Sequence, residues 1–365
     1  MKKLQLTLKL ITLLLVSFHA HGSYDKKLLN SRFSSWGISP HSQSSINLEK
    51  AWNNFKKKKD VVVAVVDTGI DPNHPFFRGN LVINKDGFSK SYGVDFSKSA
   101  LSPMRPLDGH GHGTHVAGII KSIFPNVKIL TLKYYDPSAS GEDNLRSTIK
   151  ALQYAVDKNV DIINYSGGGP EASAAELAVL KQAEAKGILV VAASGNNGSN
   201  IDNFAKAYYP ASYKLKNITT VTAHDQRLNV LNSSNFGKKT VDIAAPGYRI
   251  KSALPEGRAG YLTGTSQATA FVSGVAALLK SQFPKLDAEK IKKIINSSAR
   301  QEISLAKKCS SQGRLDAARA LRFANSIMST RSLASTKGKI ISSKKSKKVG
   351  RIIYRKLSSK NGDKK

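Results

Sequence analysis

Apolar residues run in two rhythms along this chain. Val61-Val62-Val63-Ala64-Val65-Val66 is an unbroken apolar run, mostly β-branched, which predicts a parallel strand buried on both faces. Further strands are predicted at Lys128 to Tyr134, Val160 to Asn164, Ile188 to Ala193, Ile218 to Ala223 and Val241 to Ala245. Between them, spacings of three and four predict helices at His115 to Ile123, Asp143 to Lys158, Ala172 to Lys186, Ser266 to Gln282 and Asp287 to Ser298. Strand and helix in alternation imply an α/β fold: a mostly parallel central sheet between two helical layers. Gly313 to Ala317 reads as a turn before a short final helix.

Outside this alternation the pattern changes twice. At the start, Lys2 and Lys3 precede an apolar run from Leu10 to Phe18, followed by the small residues Ala20 and Gly22. That is the layout of an export signal over residues 1–22, too short to span a bilayer as a stable helix. A retained anchor is the alternative. Residues 23–35 form a short segment without a period, 36–324 carry the alternating pattern, and 325–365 are basic with small polar residues. From Ser326 onward there are thirteen Lys and Arg against one acid, Asp363. Like charge at that density predicts a flexible tail.

At 365 residues with 40% hydrophobic content, the chain can build two domains, or one large α/β domain with extensions. Its 57 basic against 25 acidic residues give a net charge of +32, which bears on partners and solubility and not on fold. An anionic surface is the partner expected for the tail. No recognition-helix, zinc-finger or aromatic RNA-binding signature accompanies the charge, so a specific nucleic-acid function is disfavoured. The single cysteine, Cys309, cannot make an internal disulfide and has no histidine or acidic cluster near it in sequence, so it reads as a partly buried small hydrophobe.

Three stretches carry chemistry. Asp67 ends the most buried strand, where open α/β sheets place their sites. His112 stands between glycines in Gly111-His112-Gly113-Thr114-His115 at the start of a helix; His115, inside that helix, reads as structural. Ser266 begins the helix after Gly264-Thr265. Each has a plain alternative: a strand-end acid, a loop histidine, a capping serine. Together they supply a nucleophile, a base and an orienting carboxylate.

In that order, Asp-Thr-Gly-Ile at 67–70, His-Gly-Thr-His-Val-Ala-Gly at 112–118 and Gly-Thr-Ser-Gln-Ala-Thr at 264–269 resemble the three catalytic blocks of the subtilisin-like (subtilase) serine peptidases. The resemblance covers roughly Trp36 to Leu321. It implies a three-layer α/β/α subtilisin-like fold and an exported serine endopeptidase, extracellular, periplasmic or attached to the cell envelope. It also implies protein or peptide substrates, a monomer, and chemistry that requires no cofactor and no catalytic metal. Asp67, His112 and Ser266 would be catalytic. In Ala193-Ser194-Gly195-Asn196-Asn197-Gly198, Asn196 takes the oxyanion-donor position. Ser166, Gly167 and Gly168 would pair with substrate backbone and wall the primary specificity pocket, with Tyr135 to Asp143 as the opposite rim. Glu142 and Asp143 on that rim could favour basic residues upstream of the cut; the alternative is that they are solvated loop acids.

The chain departs from the family in four places. Ala270 stands where many relatives have proline after the serine block. Only about a dozen residues separate the expected signal cleavage from Trp36, in place of a long propeptide. Phe76, after His74-Pro75, replaces the acid that often binds structural calcium, and Ile119 to Lys128 is too short for the loop completing that site. The first calcium site is therefore expected to be lost, leaving others open. The basic tail is the fourth departure. Two rival readings remain: a catalytically silent polyanion-binding protein on a peptidase fold, and a nucleic-acid binder.

Overall fold

The computed structural model describes residues 26–86, 89–100 and 103–329. The sequence expectations for residues 1–22, and for 325–365 beyond Ser329, lie outside the described residues. The chain divides into two units, 1–321 and 322–365, and the first holds the sheet and the catalytic blocks.

In chain order the elements of that first unit are a short helix α1 (Leu48–Trp52), strand β1 (Val62–Asp67), short strands β2 (Asn84–Asp86), β3 (Ser89–Ser91) and β4 (Gly93–Asp95), helix α2 (His112–Ile123), strand β5 (Lys128–Lys133), helix α3 (Gly141–Asp157), strand β6 (Ile162–Tyr165), helix α4 (Ala174–Ala185) and strand β7 (Leu189–Ala193). After β7 come β8 (Ile218–His224), β9 (Ile243–Pro246), the hairpin strands β10 (Ile250–Leu254) and β11 (Arg258–Leu262), helices α5 (Thr265–Gln282) and α6 (Ala288–Ser297), and two-residue strands β12 (Arg300–Gln301) and β13 (Gly313–Arg314).

Nine strands form one sheet in the order β12-β13-β9-β8-β7-β6-β1-β5-β4. All pairs are parallel except β12 with β13. β1 lies between β5 and β6, with Val65 opposite Thr131 on one side and Asn164 on the other. Its unbroken apolar run follows from that position: with neighbours on both sides and helices above and below, every residue of β1 after Val62 is buried.

On one face, Ala151, Leu152, Ala155 and Val156 of α3 and Val179, Leu180 and Ala183 of α4 pack on Ala64, Val66, Leu130, Ile163 and Val190. On the other, α5 crosses the sheet and packs against α2. Nearly every residue of α5 is buried, which its small and apolar composition permits. Arg314 on β13 is buried too, its guanidinium donating to the carbonyls of Ser45 (2.7 Å) and Gln43 (2.8 Å) and to Glu302 (2.9 Å).

The three-layer, mostly parallel architecture agrees with the sequence reading. One local expectation is corrected. Gly313-Arg314 is not a turn but a strand bridged to Ala244 of β9. Two residues are too few for a periodicity to register, and only the neighbouring strand makes them extended. The helix after them begins at residue 317.

Candidate active site

Parallel strands deliver their carboxyl ends to one edge of the sheet, and the predicted site residues lie along it. Asp67 closes β1 and is buried. Its Oδ1 accepts the N–H of Thr68 at 2.8 Å and lies 2.7 Å from His112 Nδ1. A carboxylate only accepts, so Nδ1 carries the proton and Nε2 is left with its lone pair. Burial alone would depress the His112 pKa, but the charge and hydrogen bond of Asp67, with Asp108 behind them, raise it above the ordinary histidine value.

His112 is the first residue of α2, and the loop before it is held by a residue the sequence reading passed over. Asp108 Oδ1 accepts N–H bonds from His110 (3.1 Å) and Gly111 (2.7 Å) and the Thr68 hydroxyl (2.8 Å). Its Oδ2 accepts the Thr114 N–H (2.8 Å) and hydroxyl (2.6 Å). Burial works against ionising Asp108, yet these donors hold its carboxyl below the usual range. One carboxylate thus joins the turn after β1 to the start of α2. The signal was present in Asp108-Gly109-His110-Gly111-His112: an acid four residues before the histidine, within reach of the free N–H groups at a helix start.

His115, one turn into α2, is fully buried, its Nε2 2.9 Å from the Ile250 carbonyl. Burial pushes its pKa down to about 4, so it stays neutral and braces the hairpin, as its place in the helix suggested.

Ser266 is the second residue of α5. Its hydroxyl donates to the Ser166 carbonyl at 3.0 Å, and the Ser166 hydroxyl donates to the Ser266 carbonyl at 3.3 Å. The segment after β6 is therefore in contact with Ser266. Asn164 ties it further to α5: its amide donates to Ser166 Oγ (2.9 Å) and its oxygen accepts from Ser273 (2.8 Å). The hydroxyl of Ser266 is engaged by Ser166, not by His112. Hydrogen bonds of this kind are often long or misaligned before a substrate arrives.

Asn196 follows β7 and meets the residue before Ser266. Its Oδ1 accepts the N–H (3.0 Å) and hydroxyl (3.1 Å) of Thr265. With the oxygen so engaged, Nδ2 remains as the donor of this exposed residue. Gly195 permits the approach with φ +96°, a left-handed conformation that suits glycine.

The rim acids do not stand free. Asp143 pairs with Lys98 (2.8 Å) and Arg146 (2.5 Å), and Glu142 with Arg146 (2.6 Å). Their charge is met locally, which removes the reason for expecting them to recruit basic residues. Cys309 is buried, its Sγ 3.5 Å from the Gly313 carbonyl, and burial raises its thiol pKa; it behaves as a small hydrophobe. Among the described residues no group of three His, Cys, Asp or Glu could hold a metal ion, and no helix is long and apolar enough to cross a membrane.

Comparison with known proteins bears on this geometry. The profile of the subtilase family matches residues 58–324. Subtilisin amylosacchariticus from Bacillus subtilis subsp. amylosacchariticus is 33% identical over 270 residues, 71% of this chain and 66% of the relative. The chain thus spans just under two thirds of that relative's length. Subtilisin from Bacillus pumilus is 33% identical over 270 residues, 71% of this chain and 91% of the relative. The crystal structure of a cold adapted subtilisin-like serine proteinase superposes with a TM-score of 0.64 at 29% identity, covering 78% of this chain and 98% of that one.

Proposed function

This chain belongs to the subtilase family, and from that premise we propose that it is an exported serine endopeptidase using Asp67, His112 and Ser266. The observation that carries the reading is that three independently held groups meet the start of α5 or the helix packed on it. They are the 2.7 Å Asp67–His112 pair at the start of the helix packed on α5, the Ser166 segment after β6, and Asn196 anchored to Thr265 after β7.

Ser266 Oγ attacks the scissile carbonyl while His112 Nε2 takes its proton. Asp67 remains ionised, holds the imidazole in the required tautomer and stabilises the imidazolium. The oxyanion accepts hydrogen bonds from Asn196 Nδ2 and from the Ser266 N–H, one of the first N–H groups of α5 and so without a partner inside the helix. His112 then passes its proton to the departing amine, leaving an acyl-enzyme that water cleaves with His112 as base. Ser166, Gly167 and Gly168 offer extended backbone for the substrate to pair with, which gives affinity with little selectivity. These side chains supply every group the reaction needs, without a cofactor.

The first calcium site of the family is read as lost. At Phe76 the carbonyl accepts from the Lys121 ammonium, which also lies 4.6 Å from the Phe76 ring centre. Burial lowers the Lys121 pKa to about 8; charged at neutral pH, it repels a second cation. Export rests on residues 1–22, and attachment to an anionic surface on the charge of 325–365.

The test is hydrolysis of a peptide substrate by the purified chain and by Ser266→Ala and Asn196→Ala. Ser266→Ala abolishes turnover and keeps the fold. Asn196→Ala lowers kcat by about 10²–10³ with a smaller change in KM, because the oxyanion exists only in the transition state. Undiminished cleavage by folded Ser266→Ala excludes the mechanism.

A further inference from the structure

The two segments that flank Ser266 are separated by a gap, and a tyrosine ring fills it. A Cβ built on Gly168 would lie 2.6 Å from Tyr208 Cε1, and one built on Gly195 would lie 3.0 Å from Cδ2 and Cε2, on the opposite edge of the same ring. The ring therefore spans the gap from wall to wall, and glycine on both walls is what admits it. The backbone beside it is pinned: Tyr209 N–H donates to the Gly169 carbonyl at 2.7 Å, Gly169 N–H returns a bond at 3.0 Å, and Tyr208 N–H donates to Ser212 Oγ at 3.1 Å. Below lies a second ring, with the Tyr134 hydroxyl 2.2 Å from where a Cβ on Gly167 would be.

A bound substrate with its carbonyl carbon at Ser266 Oγ and its oxygen toward Asn196 has its acyl-side residue between these segments. That residue's side chain would meet the Tyr208 ring between them. We propose that Tyr208 is the floor of this recess and restricts the acyl-side residue of the cut bond to small side chains, those of glycine, alanine and serine. The proposal rests on the catalytic reading of Ser266 and on the substrate role of the Ser166 to Gly168 segment.

A buried acid nearby could suggest the opposite, a recess for lysine or arginine. Glu176 is 2% exposed, and burial raises its pKa against the hydrogen bonds of Tyr213 and Tyr165. Its carboxyl is thus already bonded and biased toward the neutral acid. Tyr208 is held as a neutral phenol, its pKa pushed up to about 12 by burial and by Glu176. Recognition here depends on volume, not charge.

The experiment measures kcat/KM of the full chain on peptide anilides that differ only in the residue before the anilide: Ala, Val, Leu, Phe or Lys. Fluorophosphonate labelling is run on the same preparation. The wild type prefers Ala over Phe and Lys by about 10–200-fold, the range by which pocket volume discriminates. Tyr208→Gly removes the floor and raises the Phe-to-Ala ratio at least about tenfold. A wild type that favours Phe, Leu or Lys overturns the proposal, as does a Tyr208→Gly variant with an unchanged ratio. Should Tyr208→Gly not fold, the wild-type series alone decides. Labelling at Ser266 combined with the wrong preference removes only this inference; neither labelling nor hydrolysis removes the catalytic reading and this one with it.

Discussion

His112 is subject to two opposed influences, and their balance sets a pH dependence. Burial favours the neutral ring and Asp67 favours the charged one; the net shift is upward. Only the neutral ring can accept the serine proton, so kcat/KM rises with pH through a midpoint above the ordinary histidine value of about 6.5. The stability contribution runs the other way. Because the folded pKa is raised, the pair stabilises fully below the unfolded pKa, and that contribution is lost as pH rises through the folded value. A kcat/KM profile flat from pH 5 to 9 would show that His112 is not the base. Asp67→Asn removes the charge and lowers kcat by about 10⁴ in such a triad. Asp108 has the opposite linkage. Its folded pKa is depressed, so its contribution is present above the ordinary aspartate pKa and lost as pH falls through the folded value. Asp108→Asn gives up charge-assisted bonds worth about 1.5–3 kcal/mol each and lowers the melting temperature at neutral pH more than near pH 3. An equal drop at both would assign Asp108 no such role. Asp67, His112, Ser266 and Asn196 could be singled out as candidates because each sits in a block whose neighbours are themselves distinctive. Tyr208 could not, since what it touches lies on segments far away in sequence; Asp108 could have been, because it stands a few residues before most of its donors.

Among the elements, legibility followed periodicity and length. β1 and β5 to β9 stand within two residues of their predicted positions because a strand buried on both faces needs a continuous apolar run. α2 starts at His112 and not at His115; its apolar face begins late, but Asp108 caps the N–H groups that start it. The hairpin of β10 and β11 escaped notice, since β11 is largely open to solvent and reads Arg-Ala-Gly-Tyr-Leu, with no apolar alternation. It nonetheless bears on the site: β10 accepts from His115 at Ile250, and Ser252 donates to the His115 carbonyl at 2.8 Å. α2 is placed as much by close backbone approach as by its apolar face. A Cβ on Gly113 would stand 2.2 Å from the Gly69 carbonyl oxygen, so Gly113→Ala must push α2 away from the end of β1. Such overpacking costs about 1–3 kcal/mol, and here it also separates His112 from Asp67. Thermal unfolding and kcat/KM should both fall; a variant losing neither would refute this placement.

At the scale of the whole molecule, the charge of +32 is the feature that membership of the subtilase family does not explain. Thirteen basic residues against one acid follow residue 325, outside every catalytic block. Deleting 330–365 should leave peptide hydrolysis nearly unchanged and weaken sedimentation with anionic vesicles. Each Lys or Arg near such a surface contributes about 1 kcal/mol, and salt screens the attraction over about 8 Å at physiological ionic strength. Equal recovery of both forms at low and high salt would leave the tail without this role. The fold class and catalytic blocks were readable because they depend on runs and local patterns, whereas the contents of the specificity recess depend on how loops after different strands meet. Everything proposed depends on Ser266 being a nucleophile, and covalent labelling tests that most directly. The purified full chain is treated with a fluorophosphonate and the modified residue is located by peptide mass spectrometry, alongside Ser266→Ala and His112→Ala. The account predicts a single adduct on Ser266, absent from Ser266→Ala and strongly slowed in His112→Ala. A folded wild type that takes no label, or takes it on another residue, would contradict it.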